Sequence, residues 1–268
     1  MSFFCANHLH AGYEKNNVVK DISFCLNEGN ILGIVGANGC GKTTLLKSVC
    51  GILLHDGECF LRGEKTDNLS AKRLAQKFSY IPQRSGISIE VSALEVVLMG
   101  FNPKLRLLQN PDKQMKQKAK DALFVVGLGE KCNDSYLSLS EGQKQLCILA
   151  RTLVADADLL LLDEPESALD FKFRYKILSI LKDWVTKEKK GAIVTLHDGT
   201  LALNYCDELL LLDNGYALGT INPKTDTIEK METMLGKIYG NISIHKCYGK
   251  DGKENLIMIK EADNESNY

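Results

Sequence analysis

Residues 31–44 constrain this chain most. The apolar run Ile31-Leu32-Gly33-Ile34-Val35 leads into Gly36-Ala37-Asn38-Gly39-Cys40-Gly41-Lys42-Thr43-Thr44, and Leu45-Leu46-Lys47-Ser48-Val49 continues in helical style. Strand, glycine loop and helix in that order are the setting in which G-x-x-x-x-G-K-T acts as a phosphate-binding loop. Glycines let successive backbone N–H groups turn toward one anion, and the helix start adds partial positive charge. In that geometry Lys42 reaches the β- and γ-phosphates and the Thr43 hydroxyl ligates Mg²⁺. The plain alternative is a glycine turn before an ordinary helix, which the correct flanks on both sides disfavour. Binding of a nucleoside triphosphate is expected.

A second landmark suggests what becomes of it. Leu159-Leu160-Leu161-Leu162 is an apolar run of the kind found in strands buried on both faces of a parallel sheet, although a buried helix has the same look. It ends in Asp163-Glu164, and Pro165 stops it. Asp163 at the strand's carboxyl end is placed to hold the metal's water shell, and Glu164 to act as general base on the attacking water. Paired acids after a strand are often only solvated turn residues. Beside a phosphate loop the catalytic reading is the stronger one.

The chain has 268 residues, enough for one large domain or a domain with an insertion. Its net charge of −1 argues against nucleic acid as the main partner. No apolar stretch reaches bilayer length, and the first residues lack a signal-peptide pattern, so the chain is expected inside the cell. Nine cysteines are scattered without a C-x-x-C pair and read as reduced thiols. Cys40, inside the phosphate loop, is expected to be the one open to modification.

Along the chain, the opening third reads as β-rich, with a short strand over 56–63 between glycine turns. The stretch 94–128 turns helical and charged, and its lysines fit a solvated helix face. A strand is expected near 159, a helix over 171–187, a strand over 192–196, and a hairpin around Asp213-Asn214-Gly215. Alternation of strands and helices gives an α/β parallel core. From about 222 the tail mixes helix signals with one strand candidate over 256–259, and 261–268 are polar enough to fray.

The remaining motifs, in order, resemble the ATP-binding subunit of ABC transporters over essentially the whole chain. Leu139-Ser140-Glu141-Gly142-Gln143 is similar to that family's signature loop and Tyr80-Ile81-Pro82-Gln83 to its Q-loop segment. Ser167-Ala168-Leu169-Asp170 resembles the D-loop, His197 falls at the switch histidine, and Tyr13 matches the aromatic that stacks on adenine. Read alone, each is ordinary: a capped helix, a polar loop residue, a structural histidine, a strand aromatic.

The resemblance implies a P-loop NTPase fold: a parallel-sheet core with an N-terminal antiparallel β subdomain and a helical insertion at about 90–155. The ATPase domain would span 1–221, with 222–268 an extension packed on it. It implies ATP and Mg²⁺ as cofactors, held by Tyr13 and the loop residues 36–44, with Thr43, Gln83 and Asp163 on the metal. Glu164, His197 and Gln83 would be catalytic. Ser140, Gly142, Gln143 and Asp170 would complete the site of a second subunit in a head-to-tail dimer. Further implied partners are integral membrane permease subunits and, indirectly, an extracytoplasmic substrate-binding protein, with the chain peripheral on the cytoplasmic face of the membrane.

Three departures stand out. Glu141 replaces a glycine of the signature, Glu166 stands where threonine is common, and Gly199-Thr200 stand where importer relatives often have proline-asparagine. Phe78-Ser79-Tyr80-Ile81-Pro82-Gln83 and Val96-Val97-Leu98-Met99-Gly100 are similar to importers of iron-siderophore, haem and cobalamin complexes. The alternatives are coupling to another permease, including export, action without a permease, or ATP binding without turnover.

Overall fold

Apolar and polar residues alternate over the first strands, which suits a sheet with one buried face. In the computed structural model, which describes residues 2–14, 16–83, 86–106, 108–167 and 169–262, β1 (Phe4–Tyr13) and β2 (Asn16–Leu26) form an antiparallel pair. β4 (His55–Leu61) joins the other edge of β1, and the two-residue β5 (Glu64–Lys65) closes a four-stranded sheet. Here one expectation fails. Cys5 and Cys25 face each other across β1 and β2, Cα atoms 4.2 Å apart, and are joined by a disulfide. Facing cysteines are set by strand register, which spacing in the sequence does not reveal.

The main sheet has six strands in the order β10-β9-β3-β8-β7-β6. They are β3 (Ile31–Gly36), β6 (Phe78–Ile81), β7 (Leu159–Asp163), β8 (Gly191–Leu196), β9 (Glu208–Asp213) and β10 (Tyr216–Ile221). All pairings are parallel except that of β10 with β9. β3, β7 and β8 are buried along their whole length, which explains their near-continuous apolar runs. Their carboxyl ends lie side by side, with Val35 opposite Leu196 and Asp163 opposite Thr195. Ligands of open α/β sheets bind outside that edge.

α1 (Lys42–Val49) follows β3, and α2 (Ala71–Lys77) precedes β6. Residues 93–155 supply a helical layer of α3 (Ala93–Leu98), α4 (Lys113–Val125) and α5 (Glu141–Ala155), which pack on one another. α6 (Phe171–Glu188) and α7 (Gly199–Tyr205) flank β8. The tail forms α8 (Ile228–Tyr239) and an antiparallel hairpin of β11 (Ile242–Tyr248) and β12 (Glu254–Lys260). The sequence suggests β12 alone; β11 is half exposed and mixes charge with its apolar residues. Met231, Leu235, Ile244 and Leu256 of the tail are buried in the same apolar cluster as Leu201, Ala202 and Leu203 of α7. Residues 263–268, part of the segment expected to fray, lie outside the described residues.

Candidate functional site

β3 ends at Gly36, where an added Cβ would stand 2.3 Å from the Leu212 carbonyl oxygen and 2.6 Å from Cys40 Sγ. No side chain fits there. Gly39 and Gly41 have φ of 79° and 110°, the left-handed backbone that turns the loop into α1. Lys42 is buried, and its Nζ donates to the carbonyls of Gly36 at 2.9 Å and Ala37 at 3.2 Å. Asn38, Thr43 and Thr44 line one cleft with Lys42, Val18 and Glu164. Cys40 departs from expectation. Its thiol is buried beneath the loop in the apolar cluster under the sheet, and that burial raises its pKa despite Lys42 nearby. It is shielded, as Cys50 and Cys147 are.

Asp163, at the end of β7, is buried and held by three hydroxyls. Thr43 Oγ1 and Thr195 Oγ1 each donate to Oδ1 at 3.0 Å, and the Tyr80 hydroxyl donates to Oδ2 at 3.1 Å. A hydroxyl and a carboxylate oxygen so placed form a hard donor set suited to Mg²⁺, which takes few protein ligands and keeps its waters.

Glu164 turns out of the strand with φ 48°, a left-handed conformation that costs a non-glycine residue about 1–3 kcal/mol. Its N–H donates to Thr195 Oγ1 at 2.8 Å, so one hydroxyl steadies both acids as donor to Asp163 and acceptor from Glu164. The Glu164 carboxylate is bracketed. Oε1 lies 2.5 Å from His197 Nε2 and 3.9 Å from Lys42 Nζ, while Oε2 accepts from Gln83 Nε2 at 2.7 Å. Gln83, Asp163, Glu164 and His197, with Lys42 and Thr43, therefore meet at one place, drawn from four strands' ends.

The other predicted residues lie apart from that cluster. Tyr13 closes β1 with its ring half exposed. Ser140 caps α5: its Oγ accepts from the Gln143 N–H at 3.3 Å, and Gln143 Oε1 accepts from the Ser140 N–H at 3.0 Å. Gly142 packs on Phe173, whose ring would lie 2.7 Å from an added Cβ. Glu141 pairs with Lys144 at 2.8 Å. Asp170 caps α6, accepting from the Phe173 N–H at 3.1 Å; Ala168 of the same motif lies outside the described residues.

Four residues near the cluster escape sequence reasoning as participants: Val18, Tyr80, Thr195 and Glu166. Thr195 carries a signal, a hydroxyl within an otherwise apolar strand two residues before His197. Glu166 is buried, and its Oε1 accepts from the His197 N–H at 2.9 Å while Oε2 has no hydrogen-bond partner among the described residues. Burial pushes its pKa up to about 7, against the pull of the His197 N–H and with the charges of Glu164 and Asp198 adding to the rise. A second group of metal-type donors, His55, Cys59 and Asp67, lies on the antiparallel sheet. There Asp67 is already shared by His55 at 3.2 Å and Lys65 at 3.7 Å, and burial pushes the Cys59 thiol up to about 12.

The sequence profile of the ABC transporter family matches residues 19–167, more than half of the chain. This chain belongs to that family. A hemin import ATP-binding protein of Pseudomonas fluorescens (strain Pf0-1) is 34% identical over 225 residues, 82% of this chain and 86% of that protein. A manganese transport system ATP-binding protein of Bacillus subtilis (strain 168) is 35% identical over 210 residues, 77% of this chain and 81% of that protein. A solved inward-facing metal-chelate type ABC transporter aligns with a TM-score of 0.82 at 24% identity, over 97% of this chain and 99% of that one. That likeness bears out the expected fold class. As an ABC ATPase the chain uses ATP with Mg²⁺ and hydrolyses it.

Proposed function

We propose that this ATPase drives import of a metal ion or metal complex through separate permease subunits, as a peripheral protein on the cytoplasmic face of the membrane. Cargo class follows the names of the hemin and manganese relatives. No helix among the described residues is long and apolar enough to cross a membrane, so the channel is assigned to other chains. The observation that carries the reading is the position of Gln83. Its amide holds Glu164, and it also lines a groove with Ile87, Tyr136 and Lys144, between the main sheet and the helical layer. One residue thus touches both the hydrolytic carboxylate and an outer surface.

At the nucleotide, loop residues 36–44 cradle the phosphates, Lys42 neutralises them, and Tyr13 stacks on the base. Thr43, Asp163 and Gln83 would hold Mg²⁺, which would supply charge neutralisation on the phosphates. Glu164 takes the proton of the attacking water at Oε2, where a lone pair remains free beside Gln83. His197 fixes the other oxygen. Ser140, Gly142, Gln143 and Asp170 lie away from this cluster and complete the site of a second copy of the chain. Residues 1–221 form the ATPase domain, with its helical insertion at about 90–155, and 222–268 form an extension.

The groove is the dock for a short cytoplasmic helix of the permease. Ile89 is 59% exposed, whereas Ile87 is half buried against the core. Arg84 and Ser85 of this loop lie outside the described residues. Replacing Ile87 and Ile89 with aspartate should break co-purification with the permease and stop cargo uptake in vesicles, through the cost of burying charge in an apolar contact. ATP binding by the isolated chain should persist. Normal assembly and uptake by the double variant would remove the groove from the account.

A further inference from the structure

Two of the three departures from the family pattern flank His197, Glu166 on its N–H and Gly199-Thr200 two residues on, and the C-terminal extension accounts for the second. The backbone of His197 is held from two sides. Its N–H donates to Glu166 Oε1 at 2.9 Å, and its carbonyl accepts from the Tyr239 hydroxyl, at the end of α8, at 3.1 Å. Next in the chain, Asp198 caps α7 through the Leu201 N–H at 3.0 Å.

The hairpin then grips α7 along its length. A Cβ on Gly199 would fall 2.3 Å from Met258 Cε, so glycine lets the β12 side chain lie flat on the helix start. Thr200 Oγ1 accepts from the Met258 N–H at 3.1 Å. Asn204 Oδ1 accepts from the Leu256 N–H at 2.9 Å, and its Nδ2 donates to the Leu256 carbonyl at 2.7 Å. One side chain so pairs with β12 as a neighbouring strand would. Lys224 adds an anchor, donating to the buried Asp207 at 2.8 Å, beside the 2.8 Å bond from the Ile31 N–H at the start of β3.

We propose that the C-terminal extension positions His197 for hydrolysis, with Tyr239 as the positioning residue and the β12 edge as its brace. This rests on the reading of His197 as the group that fixes Glu164. A histidine whose ring must sit 2.5 Å from a carboxylate oxygen depends on where its peptide is held. Without Tyr239, the hydrogen bonds left to that backbone among the described residues are the Glu166 bond and the cap of α7 that follows it. Burial, helped by the charges of Asp198 and Glu166, pushes the Tyr239 phenol up to about 12, so it stays a hydrogen-bond donor across the working range. Tyr239 touches no nucleotide group in this account; it acts through the loop.

The test uses the full-length chain with Tyr239→Phe, which keeps the ring and removes the hydroxyl. Turnover should fall about three- to tenfold, the effect of losing one neutral hydrogen bond, with the KM for ATP unchanged. Hydrogen exchange of the peptide spanning 197–205 should quicken in the same variant. In a His197→Ala background the added Tyr239→Phe change should leave residual turnover unaltered, since the residue it positions is gone. Tyr248→Phe, on β11 with its hydroxyl 3.5 Å from Glu254, serves as control and should leave rate and exchange at parent values. Parent-like turnover in Tyr239→Phe, or an equal loss in the His197→Ala background, would overturn the proposal. If His197→Ala itself turns over normally, the role of His197 fails instead. The exchange measurement then still decides, on its own, whether Tyr239 holds the loop, and unchanged exchange overturns that.

Discussion

The phosphate loop and the switch histidine stand at the ends of two adjacent strands, β3 and β8, yet they are held in opposite ways. Lys42 finds both its hydrogen-bond acceptors five and six residues back in the same loop, with only a longer 3.9 Å ion pair to the distant Glu164. His197 is held by Glu166, 31 residues earlier, and Tyr239, 42 residues later, and its ring meets Glu164, just past the end of β7. On the proposed roles of these residues, binding is organised by local backbone geometry and hydrolysis by long-range packing. The two functions should separate under mutation, and the hydrolytic side should be the more sensitive to distant change.

The sharpest break is Glu164→Gln. An amide can still hold water beside Gln83 and His197 but takes no proton, so turnover should fall about 10²- to 10⁴-fold while ATP binding stays near parent strength. Turnover measured on the purified variant checks this, and a near-normal rate would remove Glu164 as general base.

A smaller effect should appear in stability and on the hydrolytic side only. The folded-state pKa of Glu166, about 7, lies above its ordinary value of 4.5. Between those values the folded chain keeps a proton that the unfolded chain has lost. The contribution of this residue is therefore most favourable at low pH and is lost as pH rises through about 7, a change of about 3 kcal/mol at 1.36 kcal/mol per unit. Glu166→Gln keeps an acceptor for the His197 N–H and does not titrate. Its Tm should match the parent's near pH 4.5, exceed it increasingly up to about pH 7, and keep that lead, with little further growth, at higher pH. A constant difference across that range would show that Glu166 does not titrate there.

The same contrast explains what the sequence makes legible. Residues 36–44, 163–164 and 140–143 are contiguous, and each motif carries its own strand or helix cue, so the phosphate loop, the acids and the capped α5 can be read in order. The run 159–162 reads as a buried strand because β7 is buried on both faces. Thr195, Tyr80 and Glu166 are harder to find, because their roles depend on which strands lie side by side. The Cys5–Cys25 bridge and the hold of Tyr239 on His197 depend on register and docking, which no local periodicity encodes. Cys40 misleads for a related reason: its place in a surface loop suggests access, while the turn at Gly36 and Gly41 points its thiol into the core.

The most direct test of the separation is calorimetric Mg-ATP affinity measured side by side for Lys42→Ala and His197→Ala, with turnover recorded for each. Lys42→Ala should weaken binding about 10- to 100-fold, the loss of a charge-assisted hydrogen bond. His197→Ala should bind as the parent does while its turnover falls. Equal loss of affinity in both variants would contradict the account, because binding and hydrolysis would then share one determinant.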